Sequence, residues 1–180
     1  MPITTGDILL KYSAATAAAG NAASGTAAGS LGGFISTTQV PDNVMDALFP
    51  DITPTENEAD NADYKCVFIH NQHATLSALN VKVYFSAKVD GGADIAVALD
   101  NLLPSALASN VAQADLIPDK DTAPTAVGSF TAPTDAGSAL LVGTLQPGQC
   151  RAIWFKRMAA GAAAVVNDGV TLDIICDETP

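Results

Sequence analysis

From Asn80 to Val89 apolar and polar side chains alternate without a break. Successive side chains of an extended strand point to opposite faces, so Val81, Val83, Phe85, Ala87 and Val89 share one side while Lys82, Tyr84, Ser86 and Lys88 share the other. An antiparallel strand with one face on a core and one in water reads this way. The run from Tyr64 to His70 has the same period, and Asn71–Leu79 between the two is a connection.

Asp90-Gly91-Gly92 supplies turn chemistry before a strand at Ile95–Leu99, and Ala139–Val142 and Cys150–Arg157 continue the series. Pro147-Gly148 suits the centre of a type II turn, whose second central residue needs the positive φ that glycine adopts at least cost. The strand leaving that turn sets Ile153 and Phe155 opposite Ala152 and Trp154, so it is apolar on both faces. Asn167-Asp168-Gly169 then turns the chain into a closing strand, Val170–Cys176. Many short strands parted by Gly, Pro and Asp predict a mainly β chain, an antiparallel β-sandwich or jelly roll. Val83, Phe85, Ile153, Phe155, Leu172 and Ile174 are its expected core. Residues 101–135, rich in Ala, Pro, Asp and Thr, read as loop with a weak strand near Val127–Thr131.

A length of 180 residues suits one folded unit. The sequence divides it into an N-terminal arm with flanking short strands, residues 1–40, and a β-sandwich domain, residues 41–180, with an acidic loop at 42–63. Alanine accounts for 33 residues and aromatics for only 10, which predicts a core of small and β-branched side chains. A net charge of -11, with eight scattered cations, opposes nucleic-acid binding, which depends on neutralising phosphates. No run of about 18 strongly apolar residues is present, and Met1–Asp7 lacks the basic start of a secretory leader. These features predict no membrane partner and synthesis in a cytoplasm. Cys66, Cys150 and Cys176 are too few and too widely spaced for a disulfide framework or a zinc site, and are expected as reduced, small core residues.

Residues 13–30 carry no charge and nothing larger than Asn. Gly20, Gly25 and Gly29 each cost a helix about 1 kcal/mol relative to Ala, and the segment buries too little surface to offset its own ordering. It reads either as an arm that orders against a neighbour, with Ala17, Ala18, Ala22, Ala23 and Ala27 as contacts, or as a flexible linker. Next, Asp42, Asp46, Asp51, Glu56, Glu58, Asp60 and Asp63 fall in one stretch without a basic residue among them. A helical turn over 44–49, capped by Asp42 or Asn43, is expected there. No calcium-loop spacing is present, so the carboxylates read as a solvated face. Arg151, Lys156 and Arg157 gather three of the cations on one strand. Opposite patches on one molecule suit head-to-tail contact between copies, while the same cations could simply guard a strand edge against aggregation.

No constellation for catalysis emerges. His70 and His73 form His-x-x-His without a third ligand and read as polar rim. Gly29-Ser30-Leu31-Gly32-Gly33 lacks the Lys-Ser or Lys-Thr of a phosphate loop and reads as a hinge. The expectation is a protein that is not an enzyme and uses no metal or cofactor.

Leu31–Thr38, Tyr64–Asn71 and Leu145–Arg157, in that order, resemble segments of small tailed-phage virion structural proteins. The resemblance extends over most of the chain from about Leu31 and rests on strand and turn patterns. It implies a β-sandwich or jelly roll bound to other virion proteins. The function it points to is capsid decoration, in which a trimeric cement protein made in the host bacterial cytoplasm bridges major capsid subunits and reaches neighbours through a terminal extension. The alternative is a tail, baseplate or fibre-associated sandwich that binds a host-surface glycan or another tail protein. A glycan site would need exposed aromatics, and the single Trp154 lies inside a strand.

Overall fold

The computed structural model describes residues 2–17, 23–58, 61–89, 92–159 and 168–178. The chain forms β1 (Ile8–Ala14), β2 (Phe34–Gln39), a short helix α1 (Pro54–Glu58), β3 (Ala62–Asn71), β4 (Ala78–Lys88), β5 (Asp94–Leu99), β6 (Ser105–Ala106), β7 (Leu140–Leu145), β8 (Gln149–Met158) and β9 (Val170–Glu178). The strands make two antiparallel sheets, as expected for a mainly β chain. One runs β2-β1-β3-β8-β5 with β6 also on β8, and the other runs β7-β4-β9.

β3 and β8 determine where the core sits, because both are apolar on two faces. Val67 and Ile69 of β3 and Ile153 and Phe155 of β8 join Val81, Val83 and Phe85 of β4 and Val142 and Leu145 of β7 in one buried cluster between the sheets. The Phe85 and Phe155 rings meet there with centroids 6.2 Å apart. Leu172 and Ile174 of β9 are only half-buried against this cluster, at its flank. The alternate residues, Tyr64, Cys66 and Phe68 of β3 and Cys150, Ala152 and Trp154 of β8, form a second cluster with Ile35, Ala114 and Ile117. Every residue of β3 from Asp63 to Asn71 is consequently buried. The alternation of β4 ends earlier than its sequence suggests. A register irregularity between Phe85 and Ala87 leaves Ala87 exposed, since a one-residue slip reverses the faces of a strand.

Irregular chain covers the second cluster and is tied to residues 31–33 by backbone hydrogen bonds. The Gly33 N–H donates to Asp115 O, the Gln113 and Ala114 N–H groups donate to Gly33 O, and the Ile117 N–H donates to Leu31 O. The strand expected near Val127–Thr131 is reduced to single antiparallel bridges, Val97 with Thr131 and Asp100 with Val127.

The short strands expected within residues 1–40 are present, but they belong to the larger sheet. β1 pairs with β3 from Ile8 opposite Asn71 to Tyr12 opposite Val67, and β2 lies outside β1. Ser13 and Ala14 of the uncharged segment lie inside β1. Residues 23–30 fold back on the same domain: the Thr37 N–H donates to Ala23 O, the Cys66 N–H to Ser30 O, and the buried Lys65 ammonium to Ala28 O. A segment with little surface to bury is held here by hydrogen bonds from polar anchors on its own chain.

The helical turn expected over 44–49 is absent, and those residues form turns and bends. Asn43 and Asp46 adopt positive φ (56° and 58°), which breaks a right-handed helix. Helix α1 starts instead after Thr53. The Glu56 N–H donates to Thr53 Oγ1 (3.3 Å), Glu56 Oε2 accepts from the Thr53 N–H (2.9 Å), and Pro54 fills the first helical position. The Pro147-Gly148 turn is as expected, with Gly148 at φ 73° and the Gln149 N–H donating to Gln146 O. Asp90, Gly91 and Asn167 of the other two expected turns lie outside the described residues.

Candidate functional site

The acidic segment and the basic strand meet within one chain. Arg157, near the end of β8, sends Nη2 to Asp63 Oδ2 at 2.6 Å, while its guanidinium lies 4.8 Å over the Phe49 ring and Nη1 donates to Pro50 O. Lys120 Nζ lies 2.7 Å from both Asp63 Oδ1 and Glu56 Oε1 and 3.0 Å from Asp121 Oδ1. The Asp63 and Arg157 side chains are only 6% and 12% exposed, so Arg157 would be left as a buried charge without Asp63, whereas Asp63 would keep Lys120. Arg157, one of three cations that the sequence offers either for contact between copies or for guarding a strand edge, pairs with a carboxylate of its own chain. Asp42, Asp46, Asp51 and Glu58 remain exposed and in no ion pair among the described residues.

Lys120, together with the Thr53 N–H and hydroxyl, holds the Glu56 carboxyl down at about 2 against an ordinary 4.5. The folded state favours the ionised form, so this contribution is complete above pH 4.5 and is lost as pH falls towards 2. Glu56 keeps 24% of its side chain exposed, which limits the effect to about 1 kcal/mol by solvent screening. Glu56→Gln will therefore be less stable than the parent in urea titrations at pH 7, and the difference will disappear as both are taken down to pH 2.

The remaining sequence-selected residues are dispersed. Arg151 is half-buried, donates from Nη1 to Val142 O at 2.6 Å, and buries Nε without a partner; desolvation lowers its pKa. Lys156 is half-buried and makes no ion pair among the described residues. Ala17 is exposed, Ala23 and Ala27 are half-buried, and Ala18 and Ala22 lie outside the described residues.

Sequence reasoning passed over Asp100. It is fully buried at the end of β5, where Oδ2 accepts from Trp154 Nε1 and from the Asp115 N–H, each at 2.9 Å, and Oδ1 accepts from the Leu102 N–H at 2.9 Å. Asp115 extends the network: Oδ2 accepts from the Thr125 N–H (2.7 Å) and the Ala126 N–H (3.1 Å), and Oδ1 from the Leu116 N–H (3.0 Å). Burial alone would raise the pKa of Asp115, but these donors together bring it below the ordinary range. Two carboxylates thus organise the loops over the second cluster. The only local signal is a carboxylate directly after an apolar strand, Leu99-Asp100.

On those loops Leu103 and Val111 stand 76% and 75% exposed. Local turns form beside them: the Leu102 N–H donates to Asp100 Oδ1, and the Ser109 hydroxyl both donates to Val111 O and accepts from the Val111 N–H.

His70, read from sequence as polar rim, is buried instead, because β3 is covered on both faces along its whole length. Neither ring nitrogen has a hydrogen-bond partner, and burial, with the nearby Lys11 charge, brings its pKa to about 4, so the ring is neutral. His73 shapes the following turn, its Nδ1 accepting from the Thr75 and Leu76 N–H groups. None of the three cysteines forms a disulfide, as expected, though Cys176 is only half-buried. Burial pushes Cys66 well up and Cys150 to about 11. A thiol reagent at pH 8 will therefore label Cys176 first in the folded protein, with Cys66 and Cys150 reacting only at the rate of global unfolding. Peptide mapping of a labelling time course checks the order.

Among the described residues no helix is long and apolar enough to cross a membrane, and no group of three or more His, Cys, Asp or Glu is placed to hold a metal ion. Comparison with protein-family models, curated proteins and solved structures gave no match.

Proposed function

We propose that this chain is a non-enzymatic structural protein of a tailed-phage virion, a capsid decoration protein that bridges major capsid subunits. In this reading the two sheets form an antiparallel β-sandwich, the protein is made in the host bacterial cytoplasm, and three copies associate at each site on the head shell.

The observation that carries the reading is the pair of exposed apolar side chains, Leu103 and Val111, on the chain that follows β5. Large apolar groups left in water suit burial against another protein, where a few anchors supply most of the affinity. The mechanism is linkage: a protein that binds the assembled shell in preference to free subunits stabilises the shell by its binding free energy.

The test is co-sedimentation of the protein with undecorated phage heads. The parent should bind at saturable stoichiometry, and Leu103→Ser with Val111→Ser should weaken binding by roughly a hundredfold, the loss of two buried anchors. No binding to heads, with only a handful of copies per virion on a stained gel, would overturn decoration and favour the tail-associated alternative.

A further inference from the structure

A cleft of about 470 Å³ opens at β5, the outer strand of the larger sheet. Phe85, Ile95, Ala96, Phe130 and Met158 give it an apolar lining, and its charged residues are Lys88, Asp94 and Lys156. Lys88 is paired with Asp94 at 2.8 Å, whereas Lys156 makes no ion pair among the described residues. The loop across this edge hydrogen-bonds both backbone groups of Val97 through Thr131, and among the described residues no such bond continues to Ile95. Among the described residues this part of the edge is apolar, open and, with Lys88 paired to Asp94, left with the charge of Lys156.

The complementary feature lies towards the opposite edge. Val44 and Met45 are 54% and 57% exposed between Asp42 and Asp46, both exposed and in no ion pair among the described residues. The tip is shaped by the positive φ of Asn43 and Asp46 and anchored to β1 on both sides, by the Val40 N–H on Leu10 O and by the Tyr12 hydroxyl on Ala47 O. β1 and β5 are separated in the sheet by β3 and β8.

We infer that the Val44–Met45 tip of one copy seats in the β5-edge cleft of the next, with Asp42 and Asp46 meeting Lys156. The contact joins two different surfaces, so it is head-to-tail, and it closes into a ring if the rotation between copies allows. It supplies the self-association in the proposed function and rests on that reading only for its biological setting. The net charge of -11 opposes association of whole molecules, but at about 0.15 M salt repulsion beyond roughly 8 Å is screened while contact pairs persist.

Sedimentation velocity of the full chain over roughly 1–500 μM tests it, with circular dichroism confirming that each variant folds. The parent should associate with rising concentration. Met45→Asp, which alters only the tip, and Lys156→Glu, which alters only the cleft, should each weaken association at least about tenfold. An equimolar mixture of the two restores one intact tip and one intact cleft, and should form dimers without larger species. A parent that stays monomeric throughout, variants that associate like the parent, or a mixture that associates no better than its components would each overturn the contact. Head binding by a protein that stays monomeric would discard this interface and leave the proposed function standing.

Discussion

Asp100→Ala will lower the unfolding free energy by roughly 3–5 kcal/mol, the range for breaking a buried charged network by removing one member. The carboxylate is fully buried and accepts from Trp154 Nε1 and from the Asp115 and Leu102 N–H groups. Alanine leaves three donors without partners, each worth about 1–3 kcal/mol when stranded, though the losses are not additive. Asp100→Asn retains one acceptor oxygen and should lie between the two. Urea titrations followed by Trp154 fluorescence measure both the loss and its site, since the indole is itself one of the donors. A cost below about 1 kcal/mol for the alanine variant would mean that the loops are held without Asp100.

Gly32→Ala should have an effect of similar size by a different route. Gly32 has φ 94°, and a Cβ built there would lie 1.7 Å from Asp115 O and 3.0 Å from Trp154 Cζ2. The first contact is with backbone, so no rotamer change relieves it; the strand of loop carrying Asp115 must move away. Displacing it breaks the hydrogen bonds of 31–33 with 113–117 and uncovers Trp154, and the expected loss is about 3 kcal/mol or more. Gly148→Ala is the matched control. Gly148 also has positive φ, at 73°, but no atom lies within 4 Å of its Cβ position, so the cost should be only the backbone term of about 1–2 kcal/mol. Equal losses at the two glycines would show that conformation, and not the close approach to Asp115, dominates at Gly32.

Asp100 and Gly32 mark where the sequence stops being legible. The strands could be read because a period of two reports the faces of a sheet directly, and β4, β5, β8 and β9 lie where the alternation puts them. Trp154 and Phe155 on adjacent positions already indicated that β8 has two apolar faces. What covers its second face could not be read, since residues 101–130 have no periodicity; they are placed by side-chain acceptors such as Asp100, Asp115 and Gln113 acting on backbone far away in sequence. The same reason hid the folding-back of 23–30, whose anchor Lys65 looks in sequence like a solvent-facing strand residue. At the candidate site the charges were visible but their pairing was not. Asp63 and Arg157 come together because β3 and β8 are neighbours, in a register with Asp63 opposite Arg157 that neither segment encodes alone.

That register also affects the order in which the molecule can be built. β3 and β8 form the centre of the large sheet, yet all of residues 72–148 separate them in the chain. During synthesis β3 emerges with its neighbour β1 already made, but with the other edge and much of both apolar faces still uncovered. Closing so long a loop is entropically slow, and an unpaired apolar strand is prone to pair with the wrong partner. The nascent chain must therefore hold β3 unpaired on one edge until β8 has been made.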